Sequence, residues 1–275
     1  NVDLSMVLLD NEFNILFYNI KFCKTLDIQH SNIIGDNIKN IFNKSNQSIF
    51  FQNIENINEA ETITFEIEAL KNKQSIPIEI IININYINNK PLYFLILKDL
   101  SYIKNFEEDL KLKAFYDQLT NIPNRALFYD RADIALNQAI RSNDKFAIVY
   151  IDLDEFKLIN DNYGHSIGDS YLKEIAKRLL KSARSTDTVA RFGGDEFTIL
   201  MPRLKSSKNA ENLAKRIINL KNMPIIINNN KLIQKSSIGI SIYPKDGNTI
   251  EELLIKADEA MYKAKKLGNN KYIFI

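Results

Sequence analysis

Strict alternation marks the first third of the chain. Over residues 61–70 the polar positions Thr62, Thr64, Glu66 and Glu68 interleave with Ile63, Phe65, Ile67 and Ala69, the period-two mark of a half-buried strand. Residues 76–87 and 92–97 read as two further strands, with Asn88, Asn89, Lys90 and Pro91 as the turn between them. Upstream, short apolar runs at 7–10 and 15–19 are separated by Asn11, Glu12, Phe13 and Asn14, a hairpin spacing. The stretch between the two strand groups reads as helical and Asn-rich, with a break at Gly35. From residue 101 the period changes. Ile103, Phe106, Leu110 and Ala114 recur every three or four positions among Glu107, Glu108, Lys111 and Lys113, which predicts a helix. At under three heptads its periodicity alone does not establish a coiled coil.

Beyond residue 120, helical and strand patterns alternate. A helix over 125–141 precedes a nearly continuous apolar strand at 146–153, the pattern of a central strand covered on both faces. Two helical stretches reach residue 184, followed by a hairpin at 189–201, a helix at 206–220 and strands at 225–227 and 236–242. A helix at 249–267 and a strand at 272–275 close the chain. This order predicts a sheet flanked by helices.

Composition narrows the chemistry. A chain of 275 residues suggests about two domains, and 45% hydrophobic with 25% charged residues is ordinary for a globular protein. No apolar run approaches the ~18–20 residues of a membrane helix. The greasiest, 76–87, is broken by Pro77, Glu79, Asn83 and Asn85. The single cysteine, Cys23, excludes an intrachain disulfide and a cysteine-built zinc site, consistent with a cytoplasmic location. With only two histidines, His30 and His165, any metal must be held by carboxylates. Residue 1 is Asn, which reads as a fragment of a longer chain that could carry a membrane anchor. The 43 Ile and 34 Asn read as compositional drift. Residues 1–105 hold 9 basic and 12 acidic side chains, net −3; the remainder holds 27 and 22, net +5. A mildly basic second half suits a small anionic ligand but lacks the clustering of a nucleic-acid surface.

Two constellations carry chemistry. Asp152 and Asp154 end the central strand and alternate, so both point to one side, where α/β folds place ligands. The run Arg191, Phe192, Gly193, Gly194, Asp195, Glu196, Phe197 reads as a hairpin whose glycines let a ligand approach the backbone. Adjacent carboxylates repel unless a cation compensates. If this turn lies beside Asp152, the result is an all-oxygen site suited to Mg²⁺ and phosphoryl chemistry.

The first part resembles a PAS sensor domain, through the run from Val7 to Asp10, Asn19 with Phe22, the Ile34–Gly35 step, and Leu97, Lys98, Asp99 and Leu100. His30 stands in a polar stretch and Cys23 lacks a flavin-reactive context, so neither haem nor flavin is expected. From Asp117 onward the chain resembles the GGDEF diguanylate cyclases, which join two GTP into cyclic di-GMP and release two pyrophosphates. The matching motifs begin at Asp117, Asp152, Asn160, Arg191, Ser237 and Ala257, in the family's order. Together the two resemblances imply an α/β (α+β) fold. A PAS-like antiparallel sheet with short helices (1–100) leads into a signalling linker helix (101–116). A nucleotidyl-cyclase-like, GGDEF-type sheet flanked by helices (117–275) follows.

The second resemblance also implies roles. Asp152, the Leu153 carbonyl, Asp195 and Glu196 would hold Mg²⁺ or Mn²⁺, with Asp195 or Glu196 as proton acceptor. Asn160 and Asp169 would read guanine, with His165 in the same loop holding base or ribose. Phe156 and Lys157 would lie over the phosphates, Lys265 would neutralise the γ-phosphate, and Gly193 and Gly194 would admit the nucleotide. Arg184 and Asp187, in the RxxD spacing, would bind cyclic di-GMP as inhibitor. Catalysis would need a homodimer. Two departures stand out: Asn121 replaces a Gly, and Asn269 replaces an Arg that contacts phosphate. A receptor for GTP or cyclic di-GMP, or an interaction scaffold, is the alternative.

Overall fold

The computed structural model describes residues 4–28, 33–55 and 61–275. His30, weighed above as a haem ligand, lies outside them. The chain divides into two compact units, Asn1–Asp109 and Leu110–Ile275.

The first unit is one antiparallel sheet in the order β2-β1-β5-β4-β3. Its strands are β1 (Ser5–Leu9), β2 (Ile15–Tyr18), β3 (Thr62–Lys71), β4 (Gln74–Ile87) and β5 (Lys90–Asp99). Between the strand groups lie α1 (Ile20–Leu26), a 3₁₀ turn (Ile38–Ile41) and α2 (Lys44–Ile54). Isoleucines of β4 and leucines of β5 bury one sheet face against these helices, where the rings of Phe13, Phe42, Phe50, Phe51 and Phe65 gather.

The asparagines are not drift. Asn19 and Asn43 cap α1 and α2, accepting from the Phe22 N–H at 3.0 Å and the Asn46 N–H at 2.9 Å. Asn88 and Asn89 take φ of 52° and 60° in the β4–β5 turn, the left-handed region that Asn tolerates. That turn is tighter than the sequence suggests, with Lys90 and Pro91 already in β5.

Helix α3 (Ser101–Phe115) buries no residue. Its stripe of Ile103, Phe106 and Leu110 is 41–52% exposed.

The second unit is built on β6 (Phe146–Leu153), every residue of which is buried. Around it the sheet runs β12-β11-β6-β8-β7. Helix α4 (Arg125–Ser142) precedes β6. After it come α5 (Phe156–Tyr163), α6 (His165–Ser182), β7 (Thr188–Gly193), β8 (Glu196–Met201) and α7 (Ser207–Asn219). A short hairpin, β9 (Ile225–Ile227) with β10 (Asn230–Leu232), stands apart from this sheet, and periodicity misses β10 because Asn230, Lys231 and Leu232 form no apolar run. Then follow β11 (Ser236–Tyr243), α8 (Ile250–Lys266) and β12 (Tyr272–Phe274), which pairs parallel to β11.

Alternation along β6 sends Ala147, Val149, Ile151 and Leu153 into a core with α6 and α7, and Phe146, Ile148 and Tyr150 into one with α4 and α8. On the α8 side the layers meet at a glycine. A Cβ on Gly239 would stand 1.9 Å from the Ala257 carbonyl oxygen and 2.3 Å from the Met261 amide, so helix backbone rests on strand backbone. Among the described residues no helix is long and apolar enough to cross a membrane. Gly239→Ala must push α8 off the sheet, and we expect it to lower the unfolding free energy by about 3 kcal/mol, read from denaturant titration.

Candidate active site

The end of β6 gathers the acidic residues. Asp152 pairs with Glu196 of β8 in register, and the Leu153 N–H donates to the Asp195 carbonyl at 3.2 Å. The tight return from β7 to β8 takes φ of 151° at Gly193 and 51° at Gly194, conformations that a side chain disfavours. Nothing lies within 4 Å of where a Cβ would stand on either, so this face of the turn is open.

Charge there is unbalanced. Burial pushes the Asp152 carboxyl up to about 6, with the charges of Asp195 and Asp154 acting in the same direction against the pull of Lys265. The Lys265 ammonium, from α8, stands 2.6 Å from Asp152 Oδ1. Burial works against its charge, but Asp152, Asp195 and Asp154 outweigh it and hold Lys265 above the ordinary lysine value. Asp195 and Glu196 are half-buried. Among the described residues no three Asp, Glu, His or Cys side chains converge as a ready-made metal cage. The oxygen donors share one end of the ladder, with Lys265 paired to the buried Asp152.

Asp154 faces the same side as Asp152, as alternation predicts, but its oxygens are used internally. Oδ1 accepts from the Ser237 hydroxyl at 2.7 Å and Oδ2 from the Asn270 N–H at 2.8 Å, which ties β6 to β11 and to the α8–β12 loop. Glu196 acts on the α4 side: burial first, and then its charge, make the Tyr150 hydroxyl harder to ionise. Nearby, the Arg125 guanidinium lies over the rings of Tyr129 and Phe192 at 5.7 and 5.5 Å.

Arg191 braces the acidic turn. Its Nε and Nη2 donate to the Gly194 carbonyl at 3.0 and 2.8 Å, while Nη1 reaches both oxygens of Asp117 at 2.9 and 3.1 Å. Burial alone would raise the Asp117 carboxyl, but hydrogen bonds from Thr120 and Arg191 hold it below the ordinary value. Asn121, in place of the glycine, takes φ of 56° and donates to the Asp117 carbonyl at 2.8 Å. The turn survives the exchange.

The remaining sequence candidates lie elsewhere on the unit. Phe156 stacks on Tyr171 at 6.2 Å and anchors the start of α5 in the core. A Cβ on Gly168 would stand 1.9 Å from Asn160 Oδ1, so this glycine lets the Asn160 amide lie against α6. Lys157, His165 and Asp169 are exposed around the α5–α6 junction. Arg184 and Asp187 close a turn between α6 and β7. The Arg184 N–H donates to Asp187 Oδ2 at 2.9 Å, and the Asp187 N–H to the Arg184 carbonyl at 3.0 Å.

Comparison with known proteins places this geometry. Residues 114–271 match the model described as diguanylate cyclase, GGDEF domain, and residues 3–101 match a PAS domain. The chain belongs to the GGDEF family. Its GGDEF portion is 45% identical over 161 residues to the bifunctional diguanylate cyclase/cyclic di-GMP phosphodiesterase MucR of Pseudomonas aeruginosa, covering 58% of this chain and 23% of MucR. It is 42% identical over 155 residues to the diguanylate cyclase TpbB of the same species, covering 56% of this chain and 36% of TpbB. The chain thus spans between about a quarter and about a third of the length of these relatives. A structure of TpbB comprising only the GGDEF domain superimposes with a TM-score of 0.57 at 39% identity, covering 58% of this chain and 93% of that one. The coiled coil and GGDEF domain of DgcB from Caulobacter crescentus, in complex with cyclic di-GMP, gives 0.58 at 25% identity, covering 64% and 93%.

Sequence reading missed what supports the GGDEF turn. Asp117 and Arg191 stand 74 positions apart and no spacing rule links them. The Asp154 bonds could be suspected only from an alternation that continues past the strand. Asp117→Asn is expected to cost about 1–3 kcal/mol of stability at pH 7 by weakening a charged hydrogen-bond pair. Because the native carboxyl is held low, this contribution is complete above the unfolded carboxyl value of ~3.9 and fades as pH falls through the native value. Paired acid-unfolding curves of the two proteins should therefore converge at low pH.

Proposed function

We propose that the protein is a diguanylate cyclase, controlled by its PAS unit and active as a homodimer. The observation that carries this reading is the meeting of Asp152 with the Asp195–Glu196 turn at one end of the β6–β8 ladder, beside the Lys265 ammonium. Each GGDEF unit binds one GTP, so the reaction needs two units face to face. The exposed apolar stripe of α3 suits pairing with a second copy.

The donor set fits a hard divalent cation. It is all oxygen, and the buried Asp152 carboxylate needs a compensating cation. Asp152, the Leu153 carbonyl, Asp195 and Glu196 would hold Mg²⁺ or Mn²⁺, which when bound polarises the phosphoryl oxygens and acidifies the attacking hydroxyl. Asn160 and Asp169 orient the guanine with complementary acceptor and donor demands, and His165 supports base or ribose. Lys157 and Lys265 balance the phosphates, with Phe156 holding the start of α5 beneath them. Gly193 and Gly194 leave room for the nucleotide. The 3′-hydroxyl oxygen of one GTP bonds to the α-phosphorus of the other as the bond to pyrophosphate breaks. Asp195 or Glu196 accepts the hydroxyl proton, and a second such step closes the ring. Cyclic di-GMP then binds at Arg184 and Asp187, whose guanidinium and carboxylate complement guanine and phosphate. For the PAS unit we expect signalling without haem or flavin; aliphatic and phenylalanine side chains pack together in its core, and Cys23 is buried among them.

Incubating the protein with GTP and Mg²⁺ and separating the products by chromatography should yield cyclic di-GMP and pyrophosphate, and Asp195→Ala should abolish both. GTP binding without product would make the protein a receptor instead. In the same assay Arg184→Ala should remove the slowing caused by added cyclic di-GMP, and unchanged inhibition would detach that turn from the product.

A further inference from the structure

The uncharged Asn269, where the family carries a phosphate-contacting Arg, lines a cleft of about 580 Å³. Glu155, Lys221, Lys235 and Asn270 share its walls. Lys235 is tied to the acidic ladder through its backbone. Its carbonyl accepts from the Asp154 N–H at 3.1 Å, two register steps from the Ser237–Asp152 pair. The facing wall, with Asn269 and Asn270 at φ of 53° and 46°, is held by the Asn270 N–H on Asp154 Oδ2. Both walls therefore hang on Asp154, one through its backbone N–H and the other through its carboxylate.

Within the cleft the Lys235 ammonium stands 3.4 Å from Glu155 Oε2, and the two side chains are 44% and 49% exposed. An exposed pair of this kind holds its lysine weakly. A terminal phosphate offers a cation more negative charge and more acceptor oxygens than one carboxylate does. We propose that Lys235 supplies the cation for the terminal phosphate of GTP that position 269 lacks, and that Glu155 holds its ammonium at the cleft until the triphosphate arrives. Lys221, on the same wall system, adds to the positive potential. The inference deepens the cyclase reading and rests on it.

The test is calorimetric titration of the full chain with the α,β-methylene analogue of GTP, which cannot release pyrophosphate, and with GDP, which lacks the terminal phosphate. Lys235→Met is expected to weaken the analogue about fivefold to tenfold and GDP less than twofold, the size of one lost charged contact. Lys235→Arg should keep the affinity, and adding Asn269→Arg to Lys235→Met should restore it. Glu155→Gln should tighten the analogue about twofold by freeing the ammonium. Equal losses for both nucleotides, or none, overturn the assignment of Lys235, and weaker binding by Glu155→Gln overturns the holding role. A wild-type chain that binds neither nucleotide overturns the cyclase reading itself, which separates the two failures. Circular dichroism checks each fold, with Lys235→Gln replacing the Met variant if that one does not fold.

Discussion

A buried carboxylate must be compensated, and at the end of β6 that requirement organises the GGDEF unit. Asp152 and Asp154 leave the sheet on the same side, so the protein has to answer two negative charges that repel each other. It answers Asp154 with a hydroxyl from β11 and an amide from the α8–β12 loop, and Asp152 with the ammonium of Lys265. The two answers have different chemical consequences. Neutral donors lock Asp154 into the scaffold, whereas a lysine ammonium can be exchanged for another cation.

The same division extends outward. Asp154 is gripped by the Ser237 hydroxyl of β11 and by backbone of the α8–β12 loop, and the direct seating of α8 on Gly239 fixes the helix from which Lys265 projects. What faces solvent is the Gly193–Gly194 turn, braced from behind by Arg191 against Asp117. The site thus has a braced rear and an open front.

Most of the fold was legible because burial imposes periodicity. The alternation over 61–70 became β3, the apolar run at 146–153 became β6 with those bounds, and the three-four spacing after residue 101 became α3. The acidic site was legible in part, since strand-end carboxylates and a Gly-Gly turn can be recognised in one dimension. Contacts across long separations were not. The Arg191–Asp117 brace, the use of Asp154 as a structural anchor and the core anchorage of Phe156 depend on which elements become neighbours, and no local pattern encodes that. The asparagines were misread for a related reason: a cap or a left-handed turn is a single position whose meaning appears only beside the element it ends.

That use of asparagine affects the unfolded chain as well. Among the described residues, nine of the fourteen non-glycine positions with positive φ are Asn, while only five glycines take such angles. With eight glycines in 275 residues, the denatured ensemble has few of the fully free hinges that such turns often employ. Each Asn standing where Gly could stand removes backbone disorder that folding would otherwise have to quench, at the cost of some torsional strain in the native turn. The many tight reversals of this molecule are thus partly pre-selected before any tertiary contact forms.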